Sequence, residues 1–294
     1  MHYTHCPICE QASLKAFLKA KDHTVSQEEF TIVECNNCGF LFTQDVPDSN
    51  EIGKYYQSDN YISHSDTRKN LFFKIYNWVR NYTLKQKHSL IHALGTSQKT
   101  LLDVGSGTGY IPAYMKSQGW TVTALEPSDT ARAVCEKQHQ IIPKDPAEIY
   151  TLPNQSFEVI TLWHVLEHVH DLNGYFKRFF ELLNPGGYLI IAVPNPESQD
   201  AQTFGAEWAA WDVPRHLYHF TPGTMKRLAE KYHFEWKGTQ PMWFDALYVS
   251  MLSKEIQQKT KWLGIVDGIH SNIHAMTKNS QTSSLIYVLR KPSS

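Results

Sequence analysis

The chain has 294 residues, of which 41% are hydrophobic, and its 28 lysines and arginines against 29 acids leave a formal net charge of -1. This length suffices for one α/β domain with a full core and a small appendage. A near-zero charge without a long basic run excludes the electrostatic footprint of a typical nucleic-acid binder. There is no signal-peptide pattern and no run of roughly 18 apolar residues, so we expect a soluble, cytoplasmic protein whose partners are small molecules.

Two pairs of cysteines mark the N-terminal segment. Two residues between thiolates let one tight turn aim both sulfurs at a single ion, and two such turns complete the four-thiolate set of structural zinc. The predicted ligands are Cys6, Cys9, Cys35 and Cys38. Two alternatives stay open: a two-disulfide module, and a site in which His5 or His23 replaces one thiolate. We therefore predict a zinc-ribbon module over residues 1–45.

A zinc site closed by four cysteines leaves no position for a substrate, so its predicted role is structural. Residues 1–45 carry three lysines against six acids, which argues against a ribbon that grips DNA or RNA. A docking or substrate-covering module is favoured instead. The fifth cysteine, Cys135, is predicted to be a small buried apolar residue on a helix.

Residues 46–95 are predicted to form a linker followed by an amphipathic helix. Val46 to Ser65 is polar and lacks periodicity, whereas Asp66 opens a helical pattern that Gly95 ends. The apolar positions on one face of this helix are Leu71, Ile75, Trp78, Val79 and Tyr82. Core packing is the favoured use of this face, and an aromatic lid over a substrate mouth is the alternative.

The most informative segment is Leu101–Tyr110, with the sequence LLDVGSGTGY. An apolar run typical of a buried strand leads into three glycines at alternate positions. These glycines are Gly105, Gly107 and Gly109. Glycine permits positive φ and has no Cβ to hold a ligand away, so the loop predicts close approach of a nucleotide-like cofactor. The dinucleotide fingerprint needs a glycine where this chain has Tyr110, which disfavours a dehydrogenase.

The pattern D-x-G-x-G-x-G resembles motif I of the class I S-adenosylmethionine-dependent methyltransferases, and the resemblance runs from about Leu101 to Pro194. With the N-terminal zinc ribbon, the chain is similar to the type 11/23-like branch that methylates small molecules. The resemblance implies S-adenosylmethionine as cofactor and a Rossmann-like α/β fold with a doubly wound, mostly parallel seven-stranded sheet. Independently, the alternation of strand and helix patterns from Lys99 onward predicts a parallel sheet covered on both faces.

The predicted methyltransferase domain spans residues 96–294. Its strands are expected at 101–104, 121–125, 157–162 and 188–193, and its helices at 111–118, 129–138, after Asp171, and from Thr221 to about Tyr232. The family's inserted antiparallel strand corresponds to Ser284–Arg290. Residues 245–280 form a predicted helical insertion, by default a packed lid, with a homodimer face or a shallow membrane contact as alternatives.

The resemblance also implies the cofactor-binding residues. Glu126, after the second strand, is expected to accept both ribose hydroxyls, and Asp103 to order the glycine loop near the cofactor's amino group. The adenine loop of the family corresponds to the neighbourhood of Asp145 and Ala147. The segment from Ser156 to His168 resembles the family's strand-four signature. It implies that Trp163 and His164 lie against the cofactor near the transferred methyl group, while His168 is interpreted as a capping or core residue.

A further block, residues 208–220, follows a long loop at the edge where such sheets carry function. His216 is the first candidate for a catalytic base and His164 the second, because imidazole titrates near neutrality. Arg215 and His219 are candidate substrate-binding residues, since a guanidinium can hold a phosphate or carboxylate. The alternative is that the block only packs the insertion against the sheet.

The predicted function is methyl transfer from S-adenosylmethionine to a small-molecule acceptor. A sugar-like metabolite is favoured, and a quinone or lipid precursor is the second option. Two rivals stay open: a ribosomal-RNA methyltransferase, and a non-catalytic cofactor-binding scaffold protein.

Overall fold

The computed structural model describes residues 1–57, 71–277 and 281–293, with the side chains of residues 71–76 outside the described set. Two compact units account for the described residues. The ribbon unit contains residues 1–57, 164–175, 191–277 and 281–288, and the glycine-loop unit contains residues 71–163, 176–190 and 289–293. The predicted helix start at Asp66 and residues 278–280 of the predicted insertion lie outside the described residues.

Strands and helices alternate through the middle of the chain, as predicted. The strands are β1 (Leu14–Lys21), β2 (Glu29–Cys35), β3 (Leu41–Thr43), β4 (Thr100–Val104), β5 (Thr121–Leu125), β6 (Phe157–Trp163), β7 (Leu183–Pro194), β8 (Tyr218–His219), β9 (Glu235–Pro241) and β10 (Ser284–Arg290). The helices are α1 (Leu71–His92), α2 (Tyr110–Ser117), α3 (Asp129–His139), α4 (Leu172–Leu182), α5 (Gln199–Phe204), α6 (Pro222–Lys231), α7 (Asp245–Ile256) and α8 (Leu263–Thr277).

The N-terminal strands form a four-stranded antiparallel sheet in the order β1-β2-β3-β8. Its last strand is a dipeptide from far along the chain, where His219 pairs with Leu41. Apolar side chains of this sheet pack against residues of the block 208–220 in one cluster. The cluster includes Ile32, Trp208 and Trp211, all less than 5% exposed. The block 208–220 therefore completes the N-terminal module, a contact that the sequence reading did not foresee.

The second sheet has six strands in the order β5-β4-β6-β7-β10-β9, with β4 parallel to both β5 and β6. β10 has the predicted bounds and lies between β7 and β9. The predicted count of seven strands is corrected to six among the described residues. Between α3 and β6, the described residues pair with this sheet through a single parallel bridge, which joins Leu125 and Lys144. Pro143 precedes that bridge, and proline has no N–H to donate to a ladder.

Two aromatic residues of the predicted apolar face of helix α1 are exposed. Trp78 is 63% exposed and Tyr82 is 41% exposed, and their rings stack with centroids 5.7 Å apart. Leu84 and Ile91 are buried instead. The prediction that Trp78 and Tyr82 pack in the core is therefore wrong, and the side chains of Leu71 and Ile75 lie outside the described set. Large aromatic residues at helical spacing indicate an apolar face without saying what covers it.

The predicted insertion forms two packed helices, α7 and α8. A Cβ on Gly264 would lie 2.4 Å from the carbonyl oxygen of Ser250, and one on Gly268 would lie 2.7 Å from that of Ala246. The two glycines are one turn apart, so they allow the helix backbones to approach closely. Among the described residues, none of the helices combines the length and apolar composition that a bilayer-spanning segment requires.

Candidate functional site

The glycine loop between β4 and α2 has backbone conformations that other residues resist. The φ angles are +73° at Gly105, +54° at Gly107 and +86° at Gly109. A Cβ on Gly109 would lie 2.2 Å from the sulfur of Cys135, whereas one on Gly107 would meet no described atom within 4 Å. Packing therefore requires the last glycine. The middle glycine leaves open space beside bare backbone, which is what a closely bound ligand needs. Cys135 is fully buried, as predicted.

Glu126 follows β5 and holds this loop in place. Its Oε2 accepts a hydrogen bond from the Gly107 amide at 2.7 Å, and its Oε1 accepts one from the Ser128 amide at 2.9 Å. The side chain is 7% exposed in all. A carboxylate offers about four lone-pair sites, so two acceptor positions remain after these bonds. The carboxylate can thus accept further hydrogen bonds, and the predicted ribose contact stays a prediction.

Asp103 lies within β4 and is almost fully buried. Its Oδ1 accepts a hydrogen bond from the Thr161 hydroxyl at 2.6 Å, while Oδ2 has no hydrogen-bond partner among the described residues. Burial raises the pKa of Asp103 to about 7, and the Thr161 hydrogen bond and the charge of Lys87 oppose that rise only in part. A buried carboxylate with one unpartnered oxygen fits a cationic ligand group. The residues of this loop therefore fit the amino group of the predicted cofactor.

The remaining predicted cofactor contacts of the glycine-loop unit lie on neighbouring strand ends. Asp145 accepts a hydrogen bond from the Ala147 amide at 2.9 Å and caps the short helix Pro146–Tyr150. The preceding residue forms the single bridge to the end of β5. Trp163 ends β6, and the ammonium of Lys87 lies 4.1 Å from its ring centroid. The Lys87 contact is a feature that sequence reasoning missed.

His164, the next residue along the chain, belongs to the ribbon unit and has a positive φ of +57°. Its Nε2 lies 3.0 Å from Asp245 Oδ2, and its Nδ1 lies 3.4 Å from Glu167 Oε1. Partial burial alone lowers the pKa of His164, but the hydrogen bonds and charges of Asp245 and Glu167 raise it to about 10. The imidazole is consequently protonated at neutral pH.

His216 and His168 pack edge to face with ring centroids 4.7 Å apart. Nδ1 of His216 lies 2.8 Å from the carbonyl oxygen of Ala210, and Nδ1 of His168 lies 2.9 Å from that of Arg215. Burial and the charge of His216 lower the pKa of His168 to about 4. Glu167 lies beside both rings and is fully buried.

The predicted substrate-binding residues, Arg215 and His219, are both engaged within the protein. The guanidinium of Arg215 binds Asp22 at 3.0 Å, Asp212 at 2.6 Å and the carbonyl oxygen of Tyr55 at 2.8 Å. His219 Nε2 lies 3.1 Å from the Thr43 hydroxyl, and burial lowers its pKa well below the ordinary value. These contacts tie the block 208–220 to the N-terminal strands. The anion-gripping role remains a prediction.

The four predicted zinc ligands come together at one end of the ribbon. The sulfurs of Cys6 and Cys38 lie 3.5 Å apart, as do those of Cys9 and Cys35, and all four lie within 4.8 Å of one another. A tetrahedral zinc ion with zinc–sulfur bonds of about 2.3 Å would place the sulfurs about 3.8 Å apart. The four thiols are unbridged. The donor set therefore fits the predicted metal, and neither histidine alternative is needed to complete it.

The sequence reading missed three acids of the ribbon unit: Glu167, Asp212 and Asp22. A signal was present in two of them. Asp212 precedes Arg215 by only three residues, and Pro214 between them marks a turn that can bring the two charges together. Glu167 stands in an otherwise apolar stretch, Val165-Leu166-Glu167, where a buried acid demands a partner. Asp22 is distant in sequence from Arg215 and carries no local signal.

A family model described as a methyltransferase domain matches residues 78–236, more than half of the chain. The chain belongs to the methyltransferase-domain family. A ubiquinone biosynthesis O-methyltransferase of Pseudomonas savastanoi pv. phaseolicola is 29% identical over 139 residues, covering 43% of this chain and 59% of the relative. The Pseudomonas fluorescens enzyme of the same name is 30% identical over the same length. The chain thus spans less than two thirds of these curated relatives.

Solved structures of methyltransferases share the fold. A putative sarcosine dimethylglycine methyltransferase from Galdieria sulphuraria has a TM-score of 0.55 and 15% identity, covering 72% of this chain and 86% of that one. The 1,6-didemethyltoxoflavin-N1-methyltransferase from Burkholderia thailandensis, solved with S-adenosylhomocysteine, has a TM-score of 0.52 and 18% identity, covering 93% and 100%. At these identities the likeness shows the fold alone.

Proposed function

We propose that this protein is an enzyme that transfers a methyl group from S-adenosylmethionine to a small-molecule acceptor. The observation that carries the proposal is the glycine loop, whose open backbone at Gly107 is bonded to the carboxylate of Glu126. Membership of the methyltransferase-domain family supports this activity. The names of the curated relatives support the small-molecule acceptor.

The cofactor would be held by residues of the glycine-loop unit. Glu126 accepts the ribose hydroxyls, the buried oxygen of Asp103 accepts from the amino group, and the Asp145–Ala147 turn borders the adenine. When bound, the cofactor supplies a methyl group on a sulfonium centre. Methyl transfer is an in-line displacement, so the protein contributes mainly orientation and the exclusion of water. Trp163 and His164 are the residues proposed to border the reacting methyl group.

Removal of a proton from the acceptor requires an unprotonated base. Because His164 has a raised pKa of about 10, it cannot accept a proton at neutral pH. His216 donates through Nδ1 to a carbonyl oxygen, which leaves a lone pair on Nε2 when the ring is neutral. We therefore propose His216 as the base and assign to His164 the role of a cation that neutralises Glu167.

The acceptor is proposed to be a hydroxylated ring compound. The curated relatives are named for O-methylation in ubiquinone biosynthesis, which favours a phenolic precursor over the sugar-like metabolite that the zinc ribbon suggests. Arg215 already has three protein partners, so a neutral acceptor suits its surroundings better than an anionic one. Sugar O-methylation is the second candidate.

The four-cysteine cluster is proposed to hold a structural zinc ion that joins the two cysteine-bearing turns at one end of the ribbon. A reduced thiolate site suits the cytoplasm, where we place the protein. The proposed domains are the ribbon at residues 1–45, the connecting segment at 46–95 and the methyltransferase domain at 96–294 with its insertion at 245–280.

We also propose that the insertion mediates a homodimer. Helix α8 and the residue before it expose a row of large apolar side chains at alternating spacings of four and three residues. These are Trp262, Val266, Ile269, Ile273 and Met276, each at least 49% exposed. That spacing is the one at which two helices pack side by side in a coiled coil. Light scattering of the wild type and of Ile269→Lys tests this arrangement, and a monomeric wild type contradicts it.

The activity is tested by measuring S-adenosylhomocysteine formation with catechol-like and sugar-nucleotide acceptors. Formation with either class supports the enzyme. Cofactor binding without product from any acceptor favours a scaffold protein, and product formed only with ribosomal RNA favours the RNA methyltransferase. Gly107→Val supplies the negative control, because a side chain at φ +54° fills the space beside the loop backbone.

A further inference from the structure

A second cluster of metal-ligating side chains lies within the ribbon unit, apart from the four cysteines. It consists of Glu167, His168 and His216. One ligand atom of each residue lies within 4.8 Å of the corresponding atoms of the other two. Glu167 and His168 come from the short helix Leu166–His168, and His216 comes from the block 208–220. The chain thus brings an adjacent pair and a distant residue to one point.

The imidazoles of His168 and His216 are both oriented so that Nε2 is available to bind a metal ion. A carbonyl oxygen can only accept, so Nδ1 of His216 donates to Ala210, and Nδ1 of His168 donates to Arg215 while the Tyr56 hydroxyl lies 3.1 Å from the same nitrogen. Each ring therefore presents Nε2 as the atom with a lone pair. Metal-ligating histidines are held in this way, with the second ring nitrogen bonded to a backbone carbonyl or a carboxylate.

Glu167 supplies a buried anion whose one close cationic neighbour among the described residues is the imidazole of His164. Its side chain is 0% exposed, and neither oxygen has a hydrogen-bond partner among the described residues. The imidazole nitrogens closest to Oε1 are His164 Nδ1 at 3.4 Å and His216 Nε2 at 4.0 Å. Burying a carboxylate costs several kcal/mol unless it is paired or coordinates a metal ion. The ion pair with His164 offsets part of that cost, and Oε2 has no hydrogen-bond partner in the part of the chain that the structure describes.

The surrounding charge also favours a cation. Asp212 Oδ2 lies 3.9 Å from His216 Nε2, and it shares the guanidinium of Arg215 with Asp22. One cation thus serves two carboxylates. The local field beside His216 is therefore negative, as a site for a positive ion requires.

We propose that Glu167, His168 and His216 bind a divalent first-row transition-metal ion. Two imidazoles with one carboxylate form the donor set of many zinc and iron(II) sites, whereas magnesium and calcium prefer oxygen donors alone. Ligand atoms around such an ion lie about 3.4 Å apart, so Glu167 and His216 need only a small approach. The ion and a proton compete for the same lone pair of His216. An ion on His216 Nε2 would occupy the lone pair that a base needs, so a chain with the ion bound cannot use His216 as the base. The proposed cofactor contacts of the glycine-loop unit do not involve these three residues, and the test measures metal binding without turnover.

Cobalt(II) distinguishes the two sites, since only thiolate ligands give a sulfur-to-cobalt charge-transfer band. We expect two cobalt ions per wild-type chain, of which one lacks that band. Glu167→Gln and His216→Gln should each weaken the band-free site by at least about 100-fold, because even partners of metal ligands contribute 10- to 100-fold. The charge-transfer band of the cysteine site should persist in both variants and report that the ribbon is folded. His270→Gln, at an exposed position, is the matched control and should retain two ions.

A readout without substitutions guards against variants that do not fold. Cobalt bound at this site should shift two exchangeable imidazole N–H proton signals in the wild type, those of Nδ1 in His168 and His216. A wild type that binds cobalt only with the thiolate band overturns the proposal. So does a band-free ion that survives both substitutions or that shifts no imidazole N–H signal. Competition by zinc but not by excess magnesium completes the expected result.

Discussion

Replacement of Glu126 by alanine is the sharpest test of the cofactor site. The carboxylate is fixed by the amides of Gly107 and Ser128, so its position does not depend on a bound ligand. Each hydrogen bond from a ribose hydroxyl to a carboxylate is worth about 1.5 to 3 kcal/mol. Loss of one such bond weakens binding about tenfold, and loss of two weakens it about 100-fold or more.

Isothermal titration calorimetry with S-adenosylhomocysteine measures this loss directly. We expect a Kd raised at least about tenfold in Glu126→Ala and a smaller rise in Glu126→Gln, which keeps one acceptor oxygen. Glu136→Ala, an exposed acid on α3, is the control and should bind as the wild type does. If Glu126→Ala binds within twofold of the wild type, the assignment of Glu126 to the ribose is wrong.

Three further predictions follow from the described contacts. Gly109→Ala should lower the free energy of unfolding, measured in urea titrations, by about 2 kcal/mol or more, because its Cβ would lie 2.2 Å from the sulfur of Cys135. Adding Cys135→Ala to the same chain should restore part of this loss. Equal stability of Gly109→Ala and the wild type contradicts the packing. Removal of metal by a chelator should expose the backbone amides of β1 to β3 to hydrogen exchange, because the folding of small zinc modules is coupled to metal binding. The amides of β4 and β5 should stay protected. Unchanged hydrogen exchange in β2 argues against structural zinc. Because the pKa of His164 is raised, its ion pairs stabilise the fold fully below about pH 6.5, and this contribution is lost as the pH rises through about 10. The difference in free energy of unfolding between the wild type and His164→Gln should therefore shrink from pH 6 to pH 10. A difference that grows over this range refutes the ion pairs.

The elements around the glycine loop could be predicted because local signals decide them. β4 contains the apolar pair Leu101 and Leu102, β5 is rich in the β-branched residues Thr and Val, and the loop between β4 and α2 has glycines at the three positions with positive φ. The single bridge at Lys144 was not predictable, since two neighbouring apolar residues, Ile141 and Ile142, are too short a signal and Pro143 lacks the N–H that would extend the pairing. Bounds of β10 were accessible because its apolar run is continuous and flanked by polar residues.

The candidate site was predictable only where the sequence signal is local. The spacing within the two cysteine pairs predicts that they share one metal site, and the four sulfurs lie within 4.8 Å of one another. The surroundings of Arg215 depend on Asp22, which lies 193 residues away in the chain, so no window of sequence contains both. The same holds for His164, whose second carboxylate is Asp245. Distant charge pairs of this kind arise from topology, which composition and periodicity do not encode.

The dipeptide strand β8 makes the first and last parts of the ribbon unit mutually dependent. A shortened protein beginning at residue 96 would leave Trp208 and Trp211 without the sheet that covers them, and it would strip the partners of Arg215 supplied by Asp22 and Tyr55. Conversely, grafting residues 1–45 onto another enzyme would carry an open edge at β3 that invites intermolecular pairing. Residues 1–45 therefore do not form an independent domain. Chimeric proteins that transfer this segment must also transfer residues 208–220.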